Sequence, residues 1–130
     1  MIHNDTVHIN GDGETSRDFC YIDNAVQANL LAATTNNTEA IDQVYNVAIG
    51  DRTRLNDLFE IIRSGLEHRF DHLKDFGPQY RDFRAGDVRH SLADISKAKT
   101  LLGYEPTHGI HEGLNEALDW YVEDLTRTKT

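Results

Sequence analysis

The chain has 130 residues, 22 of them acidic and 13 basic, for a formal net charge of −9. That length fits one compact unit around one core, and the charge repels phosphate polymers and anionic membrane surfaces, which excludes nucleic-acid binding by bulk charge. No apolar run reaches the roughly 18 residues of a membrane span, the first residues lack the regions of a signal peptide, and Cys20 is the only cysteine, so the reading is a cytoplasmic protein with no internal disulfide and no membrane partner.

Thr6-Val7-His8-Ile9-Asn10 alternates as a half-buried strand does, and Gly11-Asp12-Gly13 ends it in a turn. Arg17–Ile22, rich in aromatic and β-branched residues, reads as a second extended segment, with Asp23 as the N-cap of a helix carrying Ala25, Val26, Leu30 and Ala33. After the polar gap Asn36-Asn37-Thr38, the run Gln43–Ile49 reads as a strand closed by Gly50 and Asp51. Thr53 caps a second helix, in which Leu55, Leu58, Phe59, Ile62 and Leu66 form one apolar stripe. The stretch from His68 to Asp87 reads as loop with one strand, since Gly77-Pro78 breaks any helix. Asp94 caps a short helix ending at Leu102, with Gly103 suited to the left-handed C′ position. Thr107 starts the last helix, whose apolar positions are Ile110, Leu114, Ala117, Leu118, Tyr121 and Val122, leaving Glu112, Glu116 and Asp119 for water. The order strand, helix, strand, helix gives an α/β class with a small sheet.

Two constellations offer chemistry. The first, Gly11 to Phe19, is a glycine-rich bend that delivers Arg17, whose planar donor fork suits a phosphate; the bland alternative is a bend with an Arg17–Asp18 or Arg17–Glu14 surface pair. Its glycines lack the G-x-G-x-x-G spacing of a dinucleotide loop. In the second, Arg81 to Ser91, basic residues gather in an acidic chain, with Arg84 and Asp87 one helical turn apart or in one bend; the bland alternative is mutual neutralisation by Arg81, Asp82, Arg84 and Asp87. The pairs His68/His72 and His108/His111 lack a third ligand and read as solvated. Cys20 reads as a buried, inert thiol, and Tyr104 and Trp120-Tyr121 as core and punctuation.

Taken in order, G-D-G-E-T-S-R-D-F-C-Y-I-D-N, V-Y-N-V-A-I-G, R-A-G-D-V-R-H-S-L-A-D-I-S-K-A, L-L-G-Y-E-P and a terminal E-G-L…W-Y helix resemble the C-terminal part of extended short-chain dehydrogenase/reductases. Within these NAD-dependent epimerases and dehydratases, the pattern is most similar to the bacterial UDP-N-acetylglucosamine 4-epimerases of O-antigen and Vi-type polysaccharide pathways. The resemblance covers nearly all of residues 1–130. It implies a nucleotide-sugar-binding portion in which segments within 23–49 pack on a Rossmann domain outside this chain. It implies that Arg17 and Arg84 clamp the UDP diphosphate, that Asp87 binds the ribose, and that the backbone at His8, Ile9 and Asn10 borders the uracil. Ser91 falls where a small residue admits an N-acetyl group, which implies a UDP-N-acetylhexosamine as the partner. Neither the family's NAD loop nor its Tyr-x-x-x-Lys pair is in this chain, so no catalytic residue is assigned, no cofactor is expected for this chain alone, and the epimerase reaction belongs to a longer protein. A fragment of a related dehydratase or decarboxylase, or a stand-alone UDP-sugar module, are the other readings. The apolar surface deprived of its Rossmann cover is expected to be exposed and to drive self-association as a homo-oligomer.

Overall fold

The secondary elements follow the apolar pattern, with their ends shifted. In the computed structural model, which describes residues 1–127, the order is β1 (His8–Asn10), β2 (Ser16–Arg17), α1 (Ile22–Thr34), β3 (Thr53–Arg54), α2 (Leu55–Leu66), β4 (Gln79–Arg81), α3 (Ser96–Leu102) and α4 (Ile110–Thr126), with 3₁₀ turns at Thr38–Ala40 and Asp71–Leu73. The class is α/β, as expected. The single core is not observed: the chain divides into two compact units, one of Met1–Ser16, Arg54–His90 and Leu114–Thr130, the other of Arg17–Thr53 and Ser91–Gly113.

In the first unit β1 runs parallel to β4, with His8 opposite Gln79, Ile9 opposite Tyr80 and Asn10 opposite Arg81. The strand alternates as predicted, Ile9 being buried between exposed neighbours. The pairing extends at both ends, because Gln79 N donates to the Val7 carbonyl and Gly11 N to the Arg81 carbonyl, each at 2.8 Å. Helix α2 turns Phe59 and Leu66 inward. Leu73 is fully buried, and the Phe59 and Phe76 rings stack at 6.2 Å. Gly65 allows α4 close to α2: a Cβ there would lie 2.5 Å from Leu118 Cδ1.

In the second unit Ala28 of α1, Ala98 of α3, Ala48, Ile95 and Tyr104 form the core. Gly103 adopts φ 68° at the C-cap of α3, the left-handed stop read from the sequence. Asn24, fully buried, donates from Nδ2 to the His108 carbonyl (2.7 Å) and accepts at Oδ1 from Thr107 N (2.8 Å) and His108 N (3.2 Å). It holds the approach to α4, so the helix begins at Ile110 rather than Thr107.

Several expectations need correction. Arg17–Ile22 is not a long strand; only Ser16–Arg17 is extended and paired as β2, and α1 starts at Ile22. Asp23 lies in the first turn of α1, where its charge favours the helix N-terminus, and Tyr21 occupies the N-cap without a side-chain bond. Thr53 likewise gives way to Arg54 before α2. Gln43–Ile49 forms no strand among the described residues; its β-branched and aromatic residues favour extension, but a strand needs a ladder neighbour and none of these residues pairs with it. Asp94 acts one residue earlier than a cap, with Oδ1 accepting from Ser96 N at 2.9 Å while Ile95 takes the N-cap position. Trp120 and Tyr121 are exposed, not core, and meet edge to face at 5.0 Å. Cys20 is exposed, not buried, although partial desolvation still pushes its thiol pKa up. No helix among the described residues is long and apolar enough to cross a membrane.

Candidate functional site: a glycine bend and an arginine turn

The Gly11–Gly13 bend needs its glycines. Both adopt left-handed φ, 80° and 77°, and both are covered by side chains: a Cβ on Gly11 would meet the Phe83 ring at 2.3 Å, and one on Gly13 would meet Asn56 Oδ1 at 1.8 Å. Asn56, in the first turn of α2, organises the bend. Its Nδ2 donates to the Asp12 carbonyl and to Glu14 Oε1, each at 3.1 Å, its backbone N to the Gly13 carbonyl at 3.1 Å, and its Oδ1 accepts from the Tyr80 hydroxyl at 2.9 Å. Sequence reasoning missed Asn56, because one asparagine in a helix start carries no spacing signal.

From β4 the chain passes Asp82 and Phe83 into a reverse turn in which Asp87 N donates to the Arg84 carbonyl at 3.2 Å. Gly86 supplies the required φ of 77°. Arg84 and Asp87 therefore share one bend, the second of the two geometries the spacing allowed. The mutual neutralisation considered for this stretch is not what forms. Arg89 instead pairs with Asp12 Oδ2 at 2.6 Å and sits 5.3 Å from the Phe83 ring centroid. The hydrogen bond from Arg89, aided by Glu14 N, holds the Asp12 carboxyl below the ordinary range, and Asp12 in turn raises Arg89. Gly11, Asp12, Tyr80, Arg81, Asp82 and Phe83 line a hollow of about 510 Å³.

The arginines from Arg54 to Arg89 separate into two groups. Arg54 reaches Glu14 and Asp57, Arg63 reaches Glu60 and Glu67, Arg69 reaches Asp119, and Arg89 reaches Asp12. Arg81 and Arg84 are exposed and form no ion pair among the described residues. The predicted positions His8, Ile9, Asn10, Arg84 and Asp87 all belong to this unit, on β1 and on the turn that follows its partner strand.

Arg17 and Ser91 belong to the second unit. Arg17 ends β2 half-buried, and Ser91 is exposed in a segment, 91–95, that has no regular structure. Glu14, one of the carboxylates weighed for Arg17, bonds to Arg54 and Asn56. Asp18 is turned to backbone, accepting from Ile49 N and Gly50 N at 3.0 Å each and from Ala93 N at 3.3 Å. Asp18 also went unnoticed in the sequence, where it reads as the neighbour of an arginine and nothing more.

The fold is shared with known proteins. The model of the GDP-mannose 4,6-dehydratase family matches residues 2–117. A UDP-glucose 4-epimerase from Thermotoga maritima, solved with UDP-glucose, is 37% identical with a TM-score of 0.83, over 96% of this chain and 37% of that one. A UDP-N-acetylglucosamine 4-epimerase from Methanobrevibacter ruminantium, solved with UDP-N-acetylmuramic acid, is 36% identical with a TM-score of 0.81, over 95% of this chain and 36% of that one. A UDP-glucuronic acid 4-epimerase from Bacillus cereus, solved with UDP-glucuronic acid and NAD, is 32% identical with a TM-score of 0.77, over 95% of this chain and 37% of that one. The chain spans about a third of the length of the curated relatives it matches. These are UDP-sugar 4-epimerases that share its fold over nearly its whole length, and the chain belongs to the GDP-mannose 4,6-dehydratase family, with the fold of the C-terminal part of an extended short-chain dehydrogenase/reductase.

Proposed function

We propose that this chain is the UDP-sugar-binding portion of a UDP-N-acetylhexosamine 4-epimerase of surface polysaccharide biosynthesis, inactive by itself. One observation carries the reading: in a chain of net charge −9, where the arginines of α2 and of the Asp12 bend are engaged by carboxylates, Arg84 is held out by a glycine turn with no carboxylate partner among the described residues. A guanidinium kept unpaired amid excess acid suits an anionic ligand such as a diphosphate. In this reading Arg84 and Arg17 bind the diphosphate, Asp87 the ribose and the backbone of His8, Ile9 and Asn10 the uracil. Ser91, too small to fill a sugar pocket, admits the N-acetyl group.

NAD, which the Bacillus cereus relative holds, is not fitted by the residues here. The one glycine-rich bend is filled by Phe83 and Asn56, leaving no open backbone for a pyrophosphate, so no step of the reaction is assigned to this chain. The family model is named for a dehydratase, which supports a related dehydratase as the second reading.

Calorimetric titration with UDP-N-acetylglucosamine and UDP-glucose tests the proposal. Saturable binding is expected, tighter for the N-acetylated sugar and weakened at least about tenfold by Arg84→Ala, the worth of a charge-assisted hydrogen bond. A folded chain that binds neither nucleotide sugar refutes a site of this kind within it. The exposed apolar residues of the second unit, Ile22, Val26 and Leu30 on one side of α1 and Val44 at 86% exposure, support self-association. A monodisperse monomer in light scattering at high concentration overturns that part.

A further inference from the structure

We propose that Asp18 is a positioning residue for sugar selectivity, acting by fixing the segment that carries Ser91; the inference rests on the reading of Ser91 given above. Residues 91–95 lie in no helix or strand, so their place depends on individual bonds. On one side of Ser91, His90 is bridged to Ser16; on the other Asp18 supplies the first bond, Oδ2 accepting from Ala93 N at 3.3 Å, two residues beyond the serine. The same oxygen accepts from Gly50 N at 3.0 Å and Oδ1 from Ile49 N at 3.0 Å. One carboxylate thus gathers three backbone donors from two segments that are more than 40 residues apart in sequence.

The arrangement is specific to a carboxylate. Three N–H groups converge on two oxygens, which an ionised side chain satisfies with acceptors alone, whereas an amide would turn a donor toward one of them. Gly50 lets its segment approach: it adopts φ 79°, and a Cβ on it would press Ile95 Cδ1 at 3.2 Å. Beyond Ala93 the segment is held again, where Asn46 Nδ2 donates to the Asp94 carbonyl at 3.2 Å and Ile95 enters the core. Asp18 also follows Arg17 directly in the chain, so one residue links the backbone of the proposed diphosphate arginine to that of the proposed sugar-pocket serine. A small displacement of a pocket-lining residue is enough to erode selectivity without unfolding the protein.

The test compares wild type, Asp18→Asn and the milder Asp18→Glu, which keeps the charge. Each is titrated calorimetrically with UDP and with UDP-N-acetylglucosamine, and amide hydrogen exchange is followed by NMR. In Asp18→Asn the Ala93 amide, which bonds to the carboxylate, should exchange at least about tenfold faster while Tyr104 N, in the core, stays protected. Its affinity for UDP-N-acetylglucosamine should fall about tenfold with UDP affinity changed by less than about twofold, and Asp18→Glu should recover part of the loss. A merely structural role would weaken both ligands equally. Equal losses for the two ligands, or unchanged exchange at Ala93, overturn the inference. If Asp18→Asn does not fold, the same selective loss in a folded Asp18→Glu sustains it and its absence overturns it. A wild type that binds neither ligand overturns the reading of the site, and this inference with it; a wild type that binds while both variants bind like it overturns this inference alone.

Discussion

Replacing Tyr104 by phenylalanine isolates one buried polar contact of the second unit. Tyr104 is 1% exposed and its hydroxyl donates to the Ala48 carbonyl at 2.8 Å. Phenylalanine keeps the ring among Ala28, Ile95 and Ala98 but strands that carbonyl, at a cost of about 1–3 kcal/mol at neutral pH. For a chain of this size the melting temperature should drop by roughly 4–10 °C. A second arm follows from ionisation. Burial, with a smaller contribution from Cys20, pushes the phenol from 10.0 up to about 12, so the folded state holds its proton more tightly than the unfolded chain. That share of stability is complete below pH 10 and is lost as the pH rises through 12. At pH 11 the loss is about 1 kcal/mol in the wild type and absent in Tyr104→Phe, so the gap between them should narrow by that amount. Urea unfolding of both proteins at pH 7.5 and pH 11 measures it. A variant within about 0.5 kcal/mol of wild type at pH 7.5, or a gap that stays the same at pH 11, refutes the reasoning.

Gly13→Ala should destabilise by about 2–3 kcal/mol, from a left-handed φ imposed on alanine and from bonds lost when Asn56 is displaced; a urea midpoint equal to wild type would count against the bend as described, and Asn56→Ala in the same chain should relieve part of the cost. Four aspartates are held below their ordinary range, Asp12 by Arg89, Asp57 by Arg54, Asp71 by Lys74 and Asp94 by Ser96. Their depressed values add stability that is present above about pH 4 and lost as pH falls below it. Urea midpoints should therefore decline between pH 4 and pH 2, and a flat profile over that range would show these bonds to be without consequence.

Local apolar pattern made much of the fold legible. The stripe Leu55 to Leu66 became α2, Gly103 stopped α3, and the single strand expected between His68 and Asp87 is β4. What failed is what depends on distant partners. A strand exists only as half of a ladder, and Gln43–Ile49 has the composition of a strand without the neighbour, so among the described residues it remains unpaired. The start of α2 moved for a related reason: Thr53 looks like a cap from local sequence, but the approach to the helix is set by backbone from elsewhere, Leu55 N donating to the Thr15 carbonyl at 3.0 Å. Exposure of Ile22, Leu30 and Val44 fits the same logic, since their apolar spacing anticipates a surface that the relatives, about three times as long, have chain enough to cover.

The residues proposed for the site stand out in the sequence where they are charged, whereas neutral side chains and those turned to backbone do not. Arg84 and Asp87 announce themselves by sign reversal in an acidic chain, and their glycine turn is a local device. Asn24, Asn56 and Asp18 announce nothing, because a short polar side chain beside a turn has many local uses. Their actual work is long-range, Asn24 reaching His108 across 84 residues and Asp18 reaching Ala93 across 75. Such residues convert loose segments into fixed ones at the cost of few atoms, and a substitution there moves whole loops where a substitution at an exposed arginine removes one bond. A binding surface read from charge alone therefore names the groups that would touch a ligand, whereas the amides and carboxylates that bond to backbone decide whether those groups are held ready for it.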